Sequence, residues 1–329
     1  MVSKSDHGWL ESHLDPVLKL GDVCKKYHPD VYNDYGNHTA LKLCALKYYI
    51  DVYTNILKPD LLRKIGCRGK AFIDVFAGAG LSKVTDDKKF VAGSMPIAMN
   101  FHWRKKNGTE EEPFDHYYGI EIKEKFHKAL CERSLCFKTP DKFTIILGDA
   151  DEKIDLIVKD IVKNKYHYLA FVDYEGLSGL SWASLKKLLG YNKGDVMVTV
   201  LRNMTREVGV VNSSNVSEER KRDTLERLVS LYSEDVINNS YDSLGNLNSD
   251  LLLNNYYELI KEYRENIVEM RIKGDTGYEY MLLYATKETS GGAPYVGAME
   301  TLKERLDRID GNTVESVINV LRRGQSTLF

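Results

Sequence analysis

Cysteine is scarce in this sequence, and its spacing excludes the common cysteine-based sites. The 329 residues include five cysteines, at positions 24, 44, 67, 131 and 136. None belongs to a C-x-x-C pair and their number is odd, so neither a disulfide framework nor a zinc site is predicted. His7, His13 and His28 also match no metal-ligand spacing together with Cys24, and we expect no metal. The pattern is typical of a reduced, cytoplasmic protein.

The chain also lacks long apolar runs and a strong net charge. No stretch approaches the ~18 apolar residues of a membrane span, and the amino terminus lacks the apolar core of a signal peptide. The formal net charge is −2 at pH 7, so no global field attracts nucleic acid, whereas a local basic groove remains compatible with it. With 43% hydrophobic residues, the composition is that of an ordinary globular protein with one or two domains.

The stretch of residues 70–80, KAFIDVFAGAG, organises the rest of the chain. It begins as a strand that is apolar except for Asp74, and it ends in a turn that contains Gly78 and Gly80. A lone acid in a buried strand is costly without a partner, and glycines allow a sharp turn and the close approach of a ligand. The order of strand, acid and glycine turn predicts a nucleotide site at the end of the first strand. A purely structural turn is the alternative.

Spacing separates two classes of nucleotide ligand. A dinucleotide fingerprint has a third glycine and an acid about 20 residues further on. Here Lys83 stands at the third glycine position, and Glu121 follows Gly80 by 41 residues. A nicotinamide-dependent enzyme is therefore the least favoured nucleotide-binding class.

Acidic residues end the next two predicted strands, residues 117–122 and 143–150. Glu121 is placed to accept two hydrogen bonds from a ribose diol, or it is simply an exposed acid. Asp149 could accept from an adenine amino group while the Ala150 N–H meets a ring nitrogen. Alternatively, Asp149 caps the helix that follows.

The fourth predicted strand, residues 168–173, ends in three polar side chains. We expect Asp173 to orient a substrate by accepting a hydrogen bond and Tyr174 to line the substrate pocket. Glu175 is the candidate general base. In the alternative interpretation, Asp173 caps a turn and Glu175 is solvated.

These strand-end signals, in this order, resemble class I S-adenosylmethionine-dependent methyltransferases over about residues 70–202 and 268–285. More narrowly, the chain resembles the three-Cys-motif partner protein (TcmP) family. The matching pieces are H38-T39-x-x-K42, D74-x-F76-A77-G78-x-G80, G93-S94-M95-P96, G148-D149-A150 and D173-x-x-G176. The sequence departs from this family in having Tyr174-Glu175 where Pro and an aromatic residue are expected after Asp173.

The resemblance implies S-adenosylmethionine as the cofactor and a partner protein that carries three cysteines. The residues expected at the cofactor are Lys42, Asp74, Phe76, Gly78, Gly80, Glu121, Asp149 and Ala150. The expected activity is methyl transfer to an unidentified acceptor, for which nucleic acid and nucleotides are candidates. The alternative is a catalytically silent cofactor-binding module that acts through its partner.

The expected fold is α/β, a doubly wound and mostly parallel Rossmann-like sheet that ends in an antiparallel hairpin. Residues 1–66 form an amino-terminal extension, irregular to residue 37 and then a buried helix at 39–58. Residues 67–202 form the core, and residues 268–329 form the closing hairpin and helices. Residues 203–267 form a helical insertion, which we expect to face the substrate or partner. The basic and aromatic residues in it and immediately before it include Arg202, Arg206, Arg220, Arg222 and Tyr232, with a solvated helix face as the alternative.

Overall fold

A seven-stranded β-sheet forms the centre of the structure. The computed structural model describes residues 4–34, 36–84, 89–100, 103–104, 110–174, 176–177, 179–201, 205–274, 279–288 and 294–326. The sheet strands are β1 (Gly69–Asp74), β2 (His116–Glu121), β3 (Phe143–Leu147), β4 (Tyr166–Val172), β5 (Gly194–Leu201), β6 (Asn266–Lys273) and β7 (Glu279–Thr286). Their spatial order is β6-β7-β5-β4-β1-β2-β3.

The sheet is doubly wound and has its switch point between β1 and β4. Strands β1 to β5 pair in parallel, and β7 lies antiparallel to both β5 and β6. Every residue of β1 is buried, as expected for a central strand that is covered on both faces. The doubly wound, mostly parallel sheet with an antiparallel hairpin is the one expected from the sequence, and its strand order identifies an α/β fold of class I methyltransferase type.

Helices cover both faces of the sheet. They are α1 (Lys4–Lys25), α2 (Asn37–Ile56), α3 (Pro59–Lys64), α4 (Ser94–Asn100), α5 (Glu124–Ser134), α6 (Ala150–Asn164), α7 (Trp182–Gly190), α8 (Thr205–Asn212), α9 (Glu218–Tyr232), α10 (Glu234–Asn238), α11 (Ser249–Lys261), α12 (Pro294–Leu306) and α13 (Gly311–Ser326). Consecutive residues of β1 face opposite layers: Phe72 belongs to the hydrophobic cluster that includes residues of α1, α2, α12 and α13, whereas Ile73 belongs to the cluster that includes residues of α6, α7, α9 and α11. No helix in the described ranges combines the length and apolarity that crossing a membrane requires.

The amino-terminal segment differs from the expectation. The sequence predicts an irregular segment over residues 1–37, but α1 extends over 22 residues. Leu10, Leu14 and Leu18 recur at helical spacing and are fully buried, so packing outweighs the low helix propensity of Gly21 and Pro16. At Gly21 the helix touches a neighbouring strand so closely that a Cβ would lie 2.7 Å from the Phe90 carbonyl oxygen.

Other elements agree with the sequence more closely. The buried helix expected at 39–58 is α2, and the helical patterns expected between 203 and 266 correspond to α8 to α11. These four helices share one hydrophobic cluster with the sheet. The sequence also predicts a helix from Ser94 to about residue 106, with Ser94 as its amino-terminal cap. That length is wrong, because α4 ends at Asn100 and a short strand occupies Trp103–Arg104. The four-part division of the chain stays a prediction.

Candidate functional site

A shallow cleft lies at the carboxyl ends of β1 and β4, with a volume of about 400 Å³ that includes the part open to solvent. We call it the strand-end cleft. Its lining residues come from the amino-terminal segment, α2, the turn after β1, the start of α4 and the end of β4: Asn33, Thr39, Leu43, Phe76, Ala77, Gly78, Gly80, Ser82, Gly93, Ser94, Phe171 and Asp173. The switch point of a doubly wound sheet is where such folds bind ligands. Four of the sequence-predicted site residues line it directly.

The turn after β1 requires its glycines. Gly78 and Gly80 have φ angles of 60° and 72°, in the left-handed region that side chains disfavour. A Cβ at Gly80 would lie 2.7 Å from Leu130 Cδ1, and one at Gly93 would lie 2.8 Å from the Gly80 Cα. Gly93 also donates its backbone N–H to the Gly80 carbonyl over 2.9 Å. The turn is thus packed tightly between α4 and α5.

Asn33 is a cleft residue that sequence reasoning missed. Its Oδ1 accepts a hydrogen bond from the Ala79 N–H at 2.9 Å, and a Cβ at Gly78 would lie 2.7 Å from the same oxygen. The sequence predicts that a ligand approaches the backbone closely at Gly78, but the Asn33 side chain of the amino-terminal segment makes this close contact instead. A lone asparagine in a stretch with no periodicity gives no signal for such a contact.

Asp74 is fully buried behind the cleft wall. Its Oδ2 accepts a hydrogen bond from the Ser94 hydroxyl, whereas its Oδ1 has no hydrogen-bond partner among the described residues. Burial raises the pKa of Asp74 to about 7; the Ser94 hydroxyl and the Phe76 N–H partly offset this, and the nearby Asp173 and Glu121 add to it. An unpaired buried carboxylate oxygen costs free energy unless a donor or cation satisfies it.

Glu121 is buried rather than exposed, with 8% of its surface accessible. Its Oε1 accepts the Lys123 N–H at 2.7 Å. Burial raises its pKa, while hydrogen bonds from the backbone of Lys123 and Gly78 lower it. The Glu121 carboxylate therefore lies against the backbone of the glycine turn, so the ends of β1 and β2 meet at this turn.

Asp149 caps α6, as the structural interpretation expected. Its Oδ1 accepts the Asp151 N–H at 2.8 Å, and the Asp149 side chain is exposed. The preceding Gly148 donates its N–H to the Glu121 carbonyl at 3.0 Å, so the ends of β2 and β3 are adjacent. Ala150 begins α6 and is buried. Contact of either residue with an adenine stays a prediction.

Asp173 is held by two residues from other elements. The Lys42 ammonium lies 2.7 Å from its Oδ1 and 2.8 Å from its Oδ2, and the Thr199 hydroxyl donates to its Oδ1 at 2.6 Å. The Lys42 side chain is 8% exposed and that of Asp173 is 20% exposed. The carboxylate at the cleft is thus neutralised by a nearly buried cation rather than capping a turn.

One aromatic ring lies over the Lys42 ammonium. The ammonium lies 4.7 Å from the centroid of the Tyr280 ring, and the Tyr280 hydroxyl is 3.2 Å from His38 Nε2. Burial, with the Lys42 charge adding to it, lowers the pKa of His38 to about 4. His38 is therefore neutral at physiological pH.

Tyr174 lies in the core rather than among the cleft-lining residues. It is 4% exposed, its hydroxyl is hydrogen-bonded to that of Tyr232 on α9, and its ring meets that of Phe76 edge-on with centroids 6.1 Å apart. Its role in a substrate pocket stays a prediction. Glu175, the candidate base, lies outside the described residues.

Arg133 ties the amino-terminal segment to the glycine turn. This side chain is fully buried and donates to the carbonyls of Cys24, Tyr27, His28, Val31 and Ala79. Burial lowers its pKa. In the sequence, Arg133 resembles any charged residue of an amphipathic helix, so its role was not predicted.

A metal centre finds no support in the described ranges. No group of three or more His, Cys, Asp or Glu side chains there is placed to hold an ion. His13 and Cys24 both lie on α1, where Cys24 is buried and burial raises its thiol pKa to about 12.

Comparisons with known proteins give only remote structural similarities. The sequence matches no protein-family model, and no curated protein matches it. The structure is similar to an O-methyltransferase from Bacillus cereus in complex with SAH, at 14% identity and a TM-score of 0.36 over 84% of this chain and 91% of that chain. It is also similar to Trm1 from Pyrococcus horikoshii with S-adenosyl-L-methionine, at 12% identity and a TM-score of 0.36 over 82% and 59%. TYW2 of M. jannaschii in complex with AdoMet gives 14% identity and a TM-score of 0.32 over 69% and 73%. The strand order, rather than these similarities, identifies the fold as class I methyltransferase type.

Proposed function

We propose that the chain binds S-adenosylmethionine at the strand-end cleft and transfers its methyl group to an acceptor. The observation that carries this proposal is Asp74: a fully buried carboxylate beside the cleft, with one oxygen that has no partner among the described residues. S-adenosylmethionine brings an ammonium and a sulfonium cation, either of which would compensate such a carboxylate.

The neighbouring residues fit the remaining parts of this cofactor. Gly78 and Gly80 adopt the left-handed backbone that shapes the turn, and both line the cleft in which the ligand would lie. Glu121 would accept from the ribose diol, and Asp149 with Ala150 would meet the adenine. Phe76 lines the cleft, and Lys42 would act through Asp173. When bound, the cofactor supplies an activated methyl group, so the protein mainly positions the two reactants.

Calorimetric titration with S-adenosylmethionine and its homocysteine product tests the proposal. We expect a dissociation constant on the order of 10 μM, which corresponds to about 7 kcal/mol. Asp74→Asn should weaken binding at least ~10-fold, since a hydrogen bond to a charged group contributes about 1.5–3 kcal/mol. The matched control is Asp60→Asn, on a side chain that is 91% exposed. Equal affinities for wild type and Asp74→Asn would refute the assignment, and binding of NAD instead would favour the nicotinamide alternative.

The acceptor is proposed from the resemblance and from the chemistry of the insertion, with nucleic acid and nucleotides tested first. Asp173, Tyr174 and Glu175 are the proposed catalytic residues, with Asp173 orienting the acceptor. Transfer of a labelled methyl group from the cofactor to RNA, DNA or nucleotides would support this part. A protein that binds the cofactor and methylates none of them would contradict it.

The Lys42–Asp173 pair favours a second candidate. Because Lys42 binds both oxygens of Asp173 and Thr199 donates to one of them, this carboxylate is already occupied as a hydrogen-bond acceptor. A catalytically silent cofactor-binding module, acting through the three-cysteine partner that the TcmP resemblance implies, needs no such acceptor. Cofactor binding without methyl transfer, both with and without a co-purified three-cysteine protein, would support this candidate.

A further inference from the structure

A cleft between α8 and α9, outside the strand-end cleft, gathers arginines from both helices. We call it the arginine cleft; it encloses about 780 Å³, including the part open to solvent. Arg206 comes from α8, and Arg220 and Arg227 come from α9. The α9 residues that line it, Arg220, Asp223, Thr224 and Arg227, follow the i, i+3, i+4, i+7 pattern of a single helix face.

The charge of the arginine cleft is not balanced locally. Three guanidinium groups face two carboxylates, Glu207 and Asp223. Across the described ranges, no carboxylate lies within ion-pair distance of any of these arginines, whereas on the same helix Lys221 pairs with Glu218 at 2.7 Å. Three guanidinium groups around one cleft, none of them in an ion pair among the described residues, favour an anionic ligand.

The arginine cleft is connected to the catalytic edge of the sheet by short stretches of chain. Leu177, which lines it, follows Asp173 by four residues, and Arg206 follows the end of β5 by five. An extended chain spans at most about 14 Å over four residues and about 18 Å over five. A strand of a few nucleotides in the arginine cleft can therefore reach the strand-end cleft.

We propose that the arginine cleft binds successive phosphates of a single-stranded nucleic acid. The Cα atoms of Arg220 and Arg227 are two helical turns apart, about 10 Å along the axis, a spacing that favours two anionic groups over one. Guanidinium groups bind phosphate oxygens bidentately, so a row of them fits a phosphodiester backbone better than a free phosphate. The claim that this nucleic-acid strand is the methyl acceptor rests on the proposed function, whereas the claim that the arginine cleft binds it does not.

Fluorescence anisotropy with a labelled 12-nucleotide single strand, as RNA and as DNA, tests the inference on the full chain. Arg220→Gln and Arg227→Gln should each weaken binding about three- to tenfold and reduce the slope of log K against log salt by about 0.7. Asp223→Asn should tighten binding, because it removes a repulsive charge. The matched control is Arg222→Gln, an exposed arginine of α9 outside the cleft lining, which should leave the affinity near wild type.

Three results would overturn the inference: equal losses in Arg222→Gln and Arg220→Gln, no gain in Asp223→Asn, or displacement of the strand by inorganic phosphate as readily as by unlabelled strand. The last result would indicate a site for free phosphate. Circular dichroism melting of each variant excludes a folding defect. Strand binding is measured without cofactor. A protein that binds the strand but not S-adenosylmethionine would refute the proposed function alone. A protein that binds S-adenosylmethionine but not the strand would refute only the inference that the arginine cleft binds nucleic acid.

Discussion

Lys42 and Asp173, 131 residues apart in the chain, form a two-pronged ion pair at the carboxyl end of β4, with oxygen distances of 2.7 and 2.8 Å. The pair joins α2 to the sheet at the strand-end cleft. An aspartate expected to act on a substrate therefore also fixes a helix in place, and its substitution should affect stability as well as function.

Asp173→Asn should destabilise the protein by about 3 kcal/mol, because breaking a buried pair leaves Lys42 uncompensated. Urea denaturation measures this change. The control is Asp155→Asn, which removes an exposed ion pair with Lys187 and should cost under about 1 kcal/mol. If Asp173→Asn retains wild-type stability, the pair is not formed in solution.

Asp74→Asn should change how stability depends on pH. The pKa of Asp74 rises from the usual 3.8 to about 7 on folding, so between these values the unfolded state releases a proton that the native state keeps. Stability is thus lost as pH rises from about 4 to 7, by about 4 kcal/mol. The variant lacks this loss, so its stability relative to wild type should improve by that amount between pH 4 and pH 8. Parallel pH profiles from urea denaturation would contradict the shifted pKa.

Cofactor affinity should rise with pH up to about 7. A cationic ligand group requires the ionised form of Asp74, and its pKa of about 7 means that this form falls tenfold per pH unit below that value. Titrations of S-adenosylmethionine between pH 5.5 and 7.5 should show this rise in wild type and a flat profile in Asp74→Asn. A flat wild-type profile would mean that the cofactor does not contact this carboxylate.

Gly80→Ala should lower the free energy of unfolding by more than about 1 kcal/mol, since it combines a left-handed backbone with a collision. The new Cβ would lie 2.7 Å from Leu130 Cδ1, at a φ of 72°. Gly297→Ala is the control: this glycine lies inside α12, and a Cβ added there would meet no atom within 4 Å outside the helix's own backbone. There alanine should stabilise by about 0.4–1 kcal/mol. Thermal melting of both variants would reveal opposite signs, and equal signs would contradict the geometry of the turn.

The sheet was predictable because its strands are short apolar runs that end in glycine or acidic residues. The glycine turn and Asp74 could be predicted from the same pattern, since turn glycines and a lone acid in an apolar run are visible in the local sequence. The partners of these residues and of Asp173 could not be predicted: Asn33, Ser94 and Thr199 are ordinary polar residues whose roles arise from long-range packing. Helix α1 was missed because Pro16 and Gly21 weaken the local signal, whereas packing of its leucines decides the conformation.

The hydrogen bonds of Arg133 couple the local unfolding of the amino-terminal segment to that of the glycine turn. Chain ends usually fray and exchange their amide hydrogens quickly. Here residues 24–31 supply carbonyls to a buried guanidinium that also binds the Ala79 carbonyl. If the segment detaches, a charge is left buried without partners, and the carbonyl contact at the glycine turn loses its support. The amides of this segment should therefore exchange together with those of β1, as part of the slowest-opening unit of the protein.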